Sequence, residues 1–153
     1  MSNQNLYILR IDGGLIDRGS TSCTGKQMGE LLAHIDPWVR NCDWYILDIK
    51  TNNSVDVVPS CGQAQRLSRK ALGDVCARVD QFLSGIFLAV PSDLSQPRLH
   101  LEAETEDEPS SDIGDALVEL RAFDTSYFEI YTPSLGLAEN LQNLFGVAFE
   151  SNA

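Results

Sequence analysis

The sequence predicts an α+β domain, a mainly antiparallel twisted sheet with about three helices packed on one face. Three observations carry this prediction. Short β-rich runs separate two amphipathic helix patterns in the first half of the chain, four β-like runs follow in the second half, and a last amphipathic helix closes the series. The order is thus β α β (β) α β β β β α. At 153 residues the chain has the size of one domain, expected to span 1–153, and folding at that length buries about 68–70% of the surface of the unfolded chain.

Leu6–Ile11 is β-rich and is closed by Asp12-Gly13-Gly14, a strand and a turn. Thr24 with Gln27 forms a capping box, and Met28, Leu31, Leu32 and Ile35 follow at the spacing of one buried helix face. Asp36-Pro37 stops that helix, because the residue before proline is pushed out of the α region. Asp43–Ile49 is a second strand, and Val55–Val58 is a short third one. Ser60 and Gln63 offer another capping box, behind which Ala64, Leu67, Ala71, Val75, Val79 and Phe82 repeat at three and four residues. Gly73-Asp74 in that helix allows either continuity or a break.

Ser84–Val90 is nearly all apolar, as a central strand is. Arg98–Glu104 alternates strictly, with Leu99, Leu101 and Ala103 inward and His100, Glu102 and Glu104 outward. An acidic loop over 105–115 leads to a hairpin of Leu117–Phe123 and Tyr127–Tyr131. Pro133-Ser134 then starts a helix that Gly146 ends. With the helices on one face, the other face is expected to be exposed and to show His100, Glu102, Glu104, several of Glu119, Arg121 and Glu129, and the tip of the acidic loop.

Charge is distributed unevenly. Residues 1–98 hold ten acids and ten bases, whereas 99–153 hold twelve acids and the single base Arg121, so the net charge of −11 belongs to the last third. Such a field attracts cations and repels nucleic acid and anionic membranes. The longest apolar run, Ile86–Val90, falls far short of the roughly 20 residues a spanning helix needs. The first five residues carry no positive charge and lead into no signal-like apolar block, so a cytoplasmic location is expected. The cysteines at 23, 42, 61 and 76 form no Cys-x-x-Cys pair and read as reduced thiols, Cys76 in the core and Cys23 in an exposed polar loop.

Catalytic patterns fail at specific residues. Gly19–Lys26 has five residues between its glycines instead of four, and Gln27 stands where a phosphate loop places Ser or Thr. Asp12-Gly13-Gly14 lacks the third glycine of a dinucleotide fingerprint. His34 and His100, the only histidines, have no cysteine beside them to activate and read as surface residues. The four cysteines and two histidines make no zinc spacing, and Pro109 interrupts any calcium-like order in the acidic loop. Glu102, Glu104, Glu119 and Glu129 on adjacent strands leave paired-carboxylate chemistry as a minor alternative. No cofactor or metal is therefore expected, and the chain reads as a non-enzyme.

Arg66, Arg69, Lys70 and Arg78 form the one basic cluster, a solvated helix face or, alternatively, a face that meets the acidic sheet of a second copy in a homodimer.

The small acidic α+β layout without catalytic motifs resembles bacterial immunity proteins of polymorphic or contact-dependent toxin systems. The stretch Asp124–Thr132 followed by an amphipathic helix is similar to the C-terminal hairpin and helix of small families of that kind. The resemblance implies a cytoplasmic inhibitor of a cognate cationic toxin, such as a nuclease with a basic active site. Its partner-binding residues would be Glu102, Glu104, Glu106, Asp107, Glu108, Asp112, Asp115, Glu119 and Glu129, with Tyr127 and Tyr131 as aromatic anchors. Another protein-interaction or regulatory module, or an enzyme of unrecognised type, are the alternatives.

Overall fold

Strand β1 (Tyr7–Ile11) turns Leu9 and Ile11 into the core and leads at once into a five-residue helix, α1 (Gly13–Asp17). The computed structural model describes residues 4–19, 21–53, 64–99, 105, 112–123 and 125–152. Sequence reading makes Asp12-Gly13-Gly14 a turn; the short helix forms because Gly13 lets the chain lie against the Gln27 amide, where a Cβ would come within 2.4 Å of Oε1. Helix α2 (Gly25–Ile35) carries the expected capping box, with the Gln27 N–H donating to Thr24 Oγ1 and the Thr24 N–H to Gln27 Oε1. Its buried face is Met28, Leu31, Leu32 and Ile35, and a 3-10 turn over Asp36–Trp38 ends it at the proline.

Strand β2 (Cys42–Thr51) is followed by strand β3 (Gln65–Leu67) and helix α3 (Arg69–Arg78). The long helix expected from Ala64 to Phe82 is therefore shorter at both ends. Gln65–Leu67 pairs with Trp44–Ile46 instead, and Ser68 becomes the N-cap, its Oγ accepting from the Ala71 N–H. Val79 is already extended, and Phe82 begins the next strand. The helix runs unbroken through Gly73-Asp74. The short strand expected at Val55–Val58 and the Ser60/Gln63 box lie outside the described residues.

Strand β4 (Phe82–Pro91), strand β5 (Val118–Phe123), strand β6 (Tyr127–Thr132), helix α4 (Leu135–Phe145) and strand β7 (Phe149–Ser151) complete the order. Ser134 caps α4, and Gly146 ends it in the left-handed conformation at φ 67°. The seven strands form one sheet, β3-β2-β4-β5-β6-β1-β7, with every pairing antiparallel. The strand expected at Arg98–Glu104 has no place beside β4, whose two edges are taken by β2 and β5. Arg98 and Leu99 lie outside any strand, and 100–104 fall outside the described residues.

The helices cover one face of the sheet. Met28, Leu31, Leu72, Val75, Leu137 and Leu141 meet Leu9, Ile46, Phe87, Leu120 and Ile130 there in one continuous core. The opposite face is also buried, against expectation. A second cluster joins Leu47, Ile86, Leu88, Val90 and Tyr131 to Leu6, Ile113 and Ala116, which come from the chain before β1 and the connection between β4 and β5. Among the described residues no helix is long and apolar enough to cross a membrane.

Candidate functional site

The second face is apolar at the β2–β4 side and charged at the β5–β6–β1 side. Alternation along β5 points Val118, Leu120 and Ala122 at the helices and Glu119 and Arg121 at this face. Register then assembles the group: Arg121 stands opposite Glu129 on β6, Glu129 opposite Arg10 on β1, and Glu119 opposite Tyr131. Arg121 Nε donates to Glu119 Oε2 at 2.7 Å, and both side chains are almost completely buried. Glu129 accepts from Arg10 Nε at 2.9 Å and from the Tyr131 hydroxyl. Burial, reinforced by the Glu129 carboxylate, raises the Tyr131 phenol, so it stays the donor. Arg10 reaches solvent, and its guanidinium also lies 5.1 Å over the Tyr127 ring. A cavity of about 380 Å³ opens beside Arg10 and Glu129, walled by Ile8, Val147 and Ala148 and bordered by Glu150.

The acid-rich run Glu102-Ala103-Glu104-Thr105-Glu106-Asp107-Glu108 meets this face at Thr105. Thr105 is 1% exposed and is held by three strands. Its N–H donates to Asp48 Oδ2 of β2 at 2.7 Å, its Oγ1 accepts from the Gly85 N–H of β4 at 3.0 Å, and its carbonyl accepts from Arg121 Nη1 of β5 at 3.4 Å. Asp48 occupies a left-handed backbone conformation, φ 53°, where the β2–β4 register shifts between Leu47 and Lys50. The Ser84 hydroxyl steadies that irregularity by donating to the Asp48 carbonyl at 2.7 Å.

The two ends of the connection are clasped together. Asp115 N–H donates to the Arg98 carbonyl at 2.8 Å, Arg98 N–H donates to Asp115 Oδ2 at 2.6 Å, and the Arg98 guanidinium spans both oxygens of Asp112. That carboxylate holds Arg98 above the usual guanidinium range. Gln4 stitches the base to the N-terminal segment, accepting from the Ile113 N–H and donating to the Gly114 carbonyl.

The expected partner-binding residues thus divide. Asp112 and Asp115 stand half-buried at the clasp, and Tyr127 is half-buried, stacked on Phe123 at 5.1 Å. Glu119, Glu129 and Tyr131 are not surface residues: all three are buried, and each is tied into the buried network. Glu102, Glu104, Glu106, Asp107 and Glu108 lie outside the described residues, as does His100. Arg10, Asp48 and Thr105 were not singled out from the sequence. Only Asp48 leaves a local trace, an acid set between Leu47 and Ile49 in an otherwise apolar run.

Three members of the basic cluster are paired with acids within the fold, while Arg78 donates to the Asp74 carbonyl, and Arg66 lies on β3 and not on the helix face expected. Arg66 pairs with Asp43, Arg69 with Asp36 and Lys70 with Asp74. Cys23, expected to be exposed, is fully buried, with its thiol donating to the Tyr127 carbonyl. Burial pushes the Cys76 thiol up to about 12 and raises Cys42, the reverse of what a thiolate nucleophile needs. His34 is exposed and sets its ring edge-on to Phe145. Among the described residues no group of three or more His, Cys, Asp or Glu could hold a metal ion. Comparison with protein-family models, with curated proteins and with solved structures finds no match.

Proposed function

We propose that this chain is a non-catalytic binding protein whose acid-rich segment, Glu102 to Asp115, occupies a basic surface on a partner protein. A cognate toxin with a basic active site fits best, which makes the chain an immunity protein acting in the cytoplasm. The supporting observation is the pattern of ion pairing. Arg66, Arg69 and Lys70 are paired with Asp43, Asp36 and Asp74 of the first two thirds. Among the described residues, the acids of the last third that have a cation partner are Asp112, Glu119 and Glu129. The last two belong to the buried network, so they support the surface from beneath and do not touch the partner. Steering by acids of the last third speeds encounter, and Tyr127, flanked by Phe123 and Arg10, offers an aromatic contact.

The test is co-expression with the product of the adjacent reading frame. The chain is expected to protect against a basic, growth-arresting product, and neutralising Glu102, Glu104, Glu106 and Glu108 to Gln with Asp107 to Asn is expected to abolish protection. Undiminished protection by that variant, or an adjacent product that is neither basic nor toxic, would overturn the reading.

A further inference from the structure

We propose that the cavity beside Arg10 is a binding site for a small zwitterion, an α-amino acid with an apolar side chain, held by Arg10 at its carboxylate and by Glu150 at its ammonium group. The cavity forms where the pairing of β1 with β7 stops. Strand β1 continues to Ile11, whereas β7 begins at Phe149, opposite Leu9, and the chain reaches it from α4 through Val147 and Ala148. Alternation puts Ile8, Arg10 and Glu150 on one side of the sheet, with Glu150 directly opposite Ile8 and one diagonal step from Arg10. The opening left there is about 380 Å³, at the lower end of the range of small-molecule sites.

Two opposite charges border this opening without pairing with each other. Among the described residues Arg10 makes one side-chain hydrogen bond, from Nε to Glu129, which leaves its two terminal nitrogens to a ligand, and its side chain is 64% exposed. The guanidinium is nonetheless held in place, by the buried Glu129 carboxylate at Nε and by the Tyr127 ring beneath it. Glu129 is in turn fixed by the Tyr131 hydroxyl. A fork positioned in advance lowers the side-chain ordering cost of binding. Glu150 is exposed and, among the described residues, has no ion-pair partner. The ligand chemistry follows from this lining. A guanidinium fork matches a carboxylate. An anion alone would meet Glu150 and the field of a chain with a net charge of −11. A cation alone would meet Arg10. A molecule carrying both charges answers both, and Ile8, Val147 and Ala148 give its side chain an apolar wall.

The experiment is titration of the whole protein with L-leucine, followed by backbone amide chemical shifts. It is repeated with isocaproate, which lacks the amine, and with isoamylamine, which lacks the carboxylate. L-Leucine is expected to give saturable shifts, in the millimolar range or below, that centre on Ile8, Val147 and Ala148. Each half-ligand is expected to bind about tenfold or more weakly, because one charge-assisted contact is lost. Glu150→Gln, a change at an exposed position, is expected to weaken L-leucine by about the same factor and to leave isocaproate no weaker. Arg10→Lys keeps the charge that compensates Glu129 but loses the fork, and is expected to weaken L-leucine and isocaproate alike. No saturable shift, shifts centred elsewhere, isocaproate binding as tightly as L-leucine, or an unchanged L-leucine affinity in Glu150→Gln would overturn the proposal.

Discussion

Glu119 and Arg121 lie two residues apart on β5, face the same way and bury their charges against each other. Their energetic role is asymmetric. Removing one partner leaves an uncompensated buried charge, whereas replacing both with apolar residues removes the desolvation cost as well. Arg121→Met is therefore expected to destabilise the protein by about 3–5 kcal/mol in urea unfolding. Adding Glu119→Leu is expected to recover most of that loss, and a double variant as unstable as the single one would show that the pair is not the source. The polar character of these residues and their place on the face opposite the helices were legible in the sequence. Their burial was not readable. Periodicity separates two faces and says nothing of what covers each; here the cover comes from Leu6, Thr105, Ile113 and Ala116, far from β5 in sequence or separated from it by an irregular connection.

At the scale of elements, local signals were reliable where they were complete. Thr24 with Gln27 gave α2 its start, and Ser134 with Gly146 bounded α4. The error at α3 came from two competing starts. Ser60 and Gln63 form a full box in sequence, Ser68 has Ala71 at the third position and forms none, and pairing with β2 drew Gln65–Leu67 into the sheet. Strand β7 has only three residues and depends on β1 for its existence, so no local pattern announced it. The packing of α2 on α3 yields a paired prediction. At Gly25 a Cβ would lie 2.1 Å from the Val79 carbonyl oxygen and 2.2 Å from that of Cys76, both backbone atoms that cannot step aside. At Gly29, one turn along the same helix, a Cβ would meet nothing within 4 Å. Gly25→Ala is expected to lower the free energy of unfolding by about 1–3 kcal/mol. Gly29→Ala is expected to raise stability by roughly 0.5–1 kcal/mol, because alanine costs less backbone entropy in a helix. Equal effects at the two positions would mean that the helices do not approach as closely as described.

For the molecule as a whole, the decisive quantity is where the net charge of −11 is felt. Its concentration in the last third was legible from residue counts alone, and so were the bases of the first two thirds. Which acid each base would choose was not, because Arg66 meets Asp43 across a strand pair and Arg69 meets Asp36 across two helices. Those choices occupy Arg66, Arg69 and Lys70 with acids of the first two thirds. The most direct measurement is the association rate of the protein with a lysine homopolymer, followed by stopped flow from low to physiological salt, where the Debye length falls to about 8 Å. The rate is expected to fall steeply with salt for wild type. Neutralising Glu102, Glu104, Glu106, Asp107 and Glu108 is expected to remove most of that slope, and neutralising Glu139 and Glu150 to leave it largely intact. A slope that survives loss of the five acids, or that depends equally on the other two, would contradict the account.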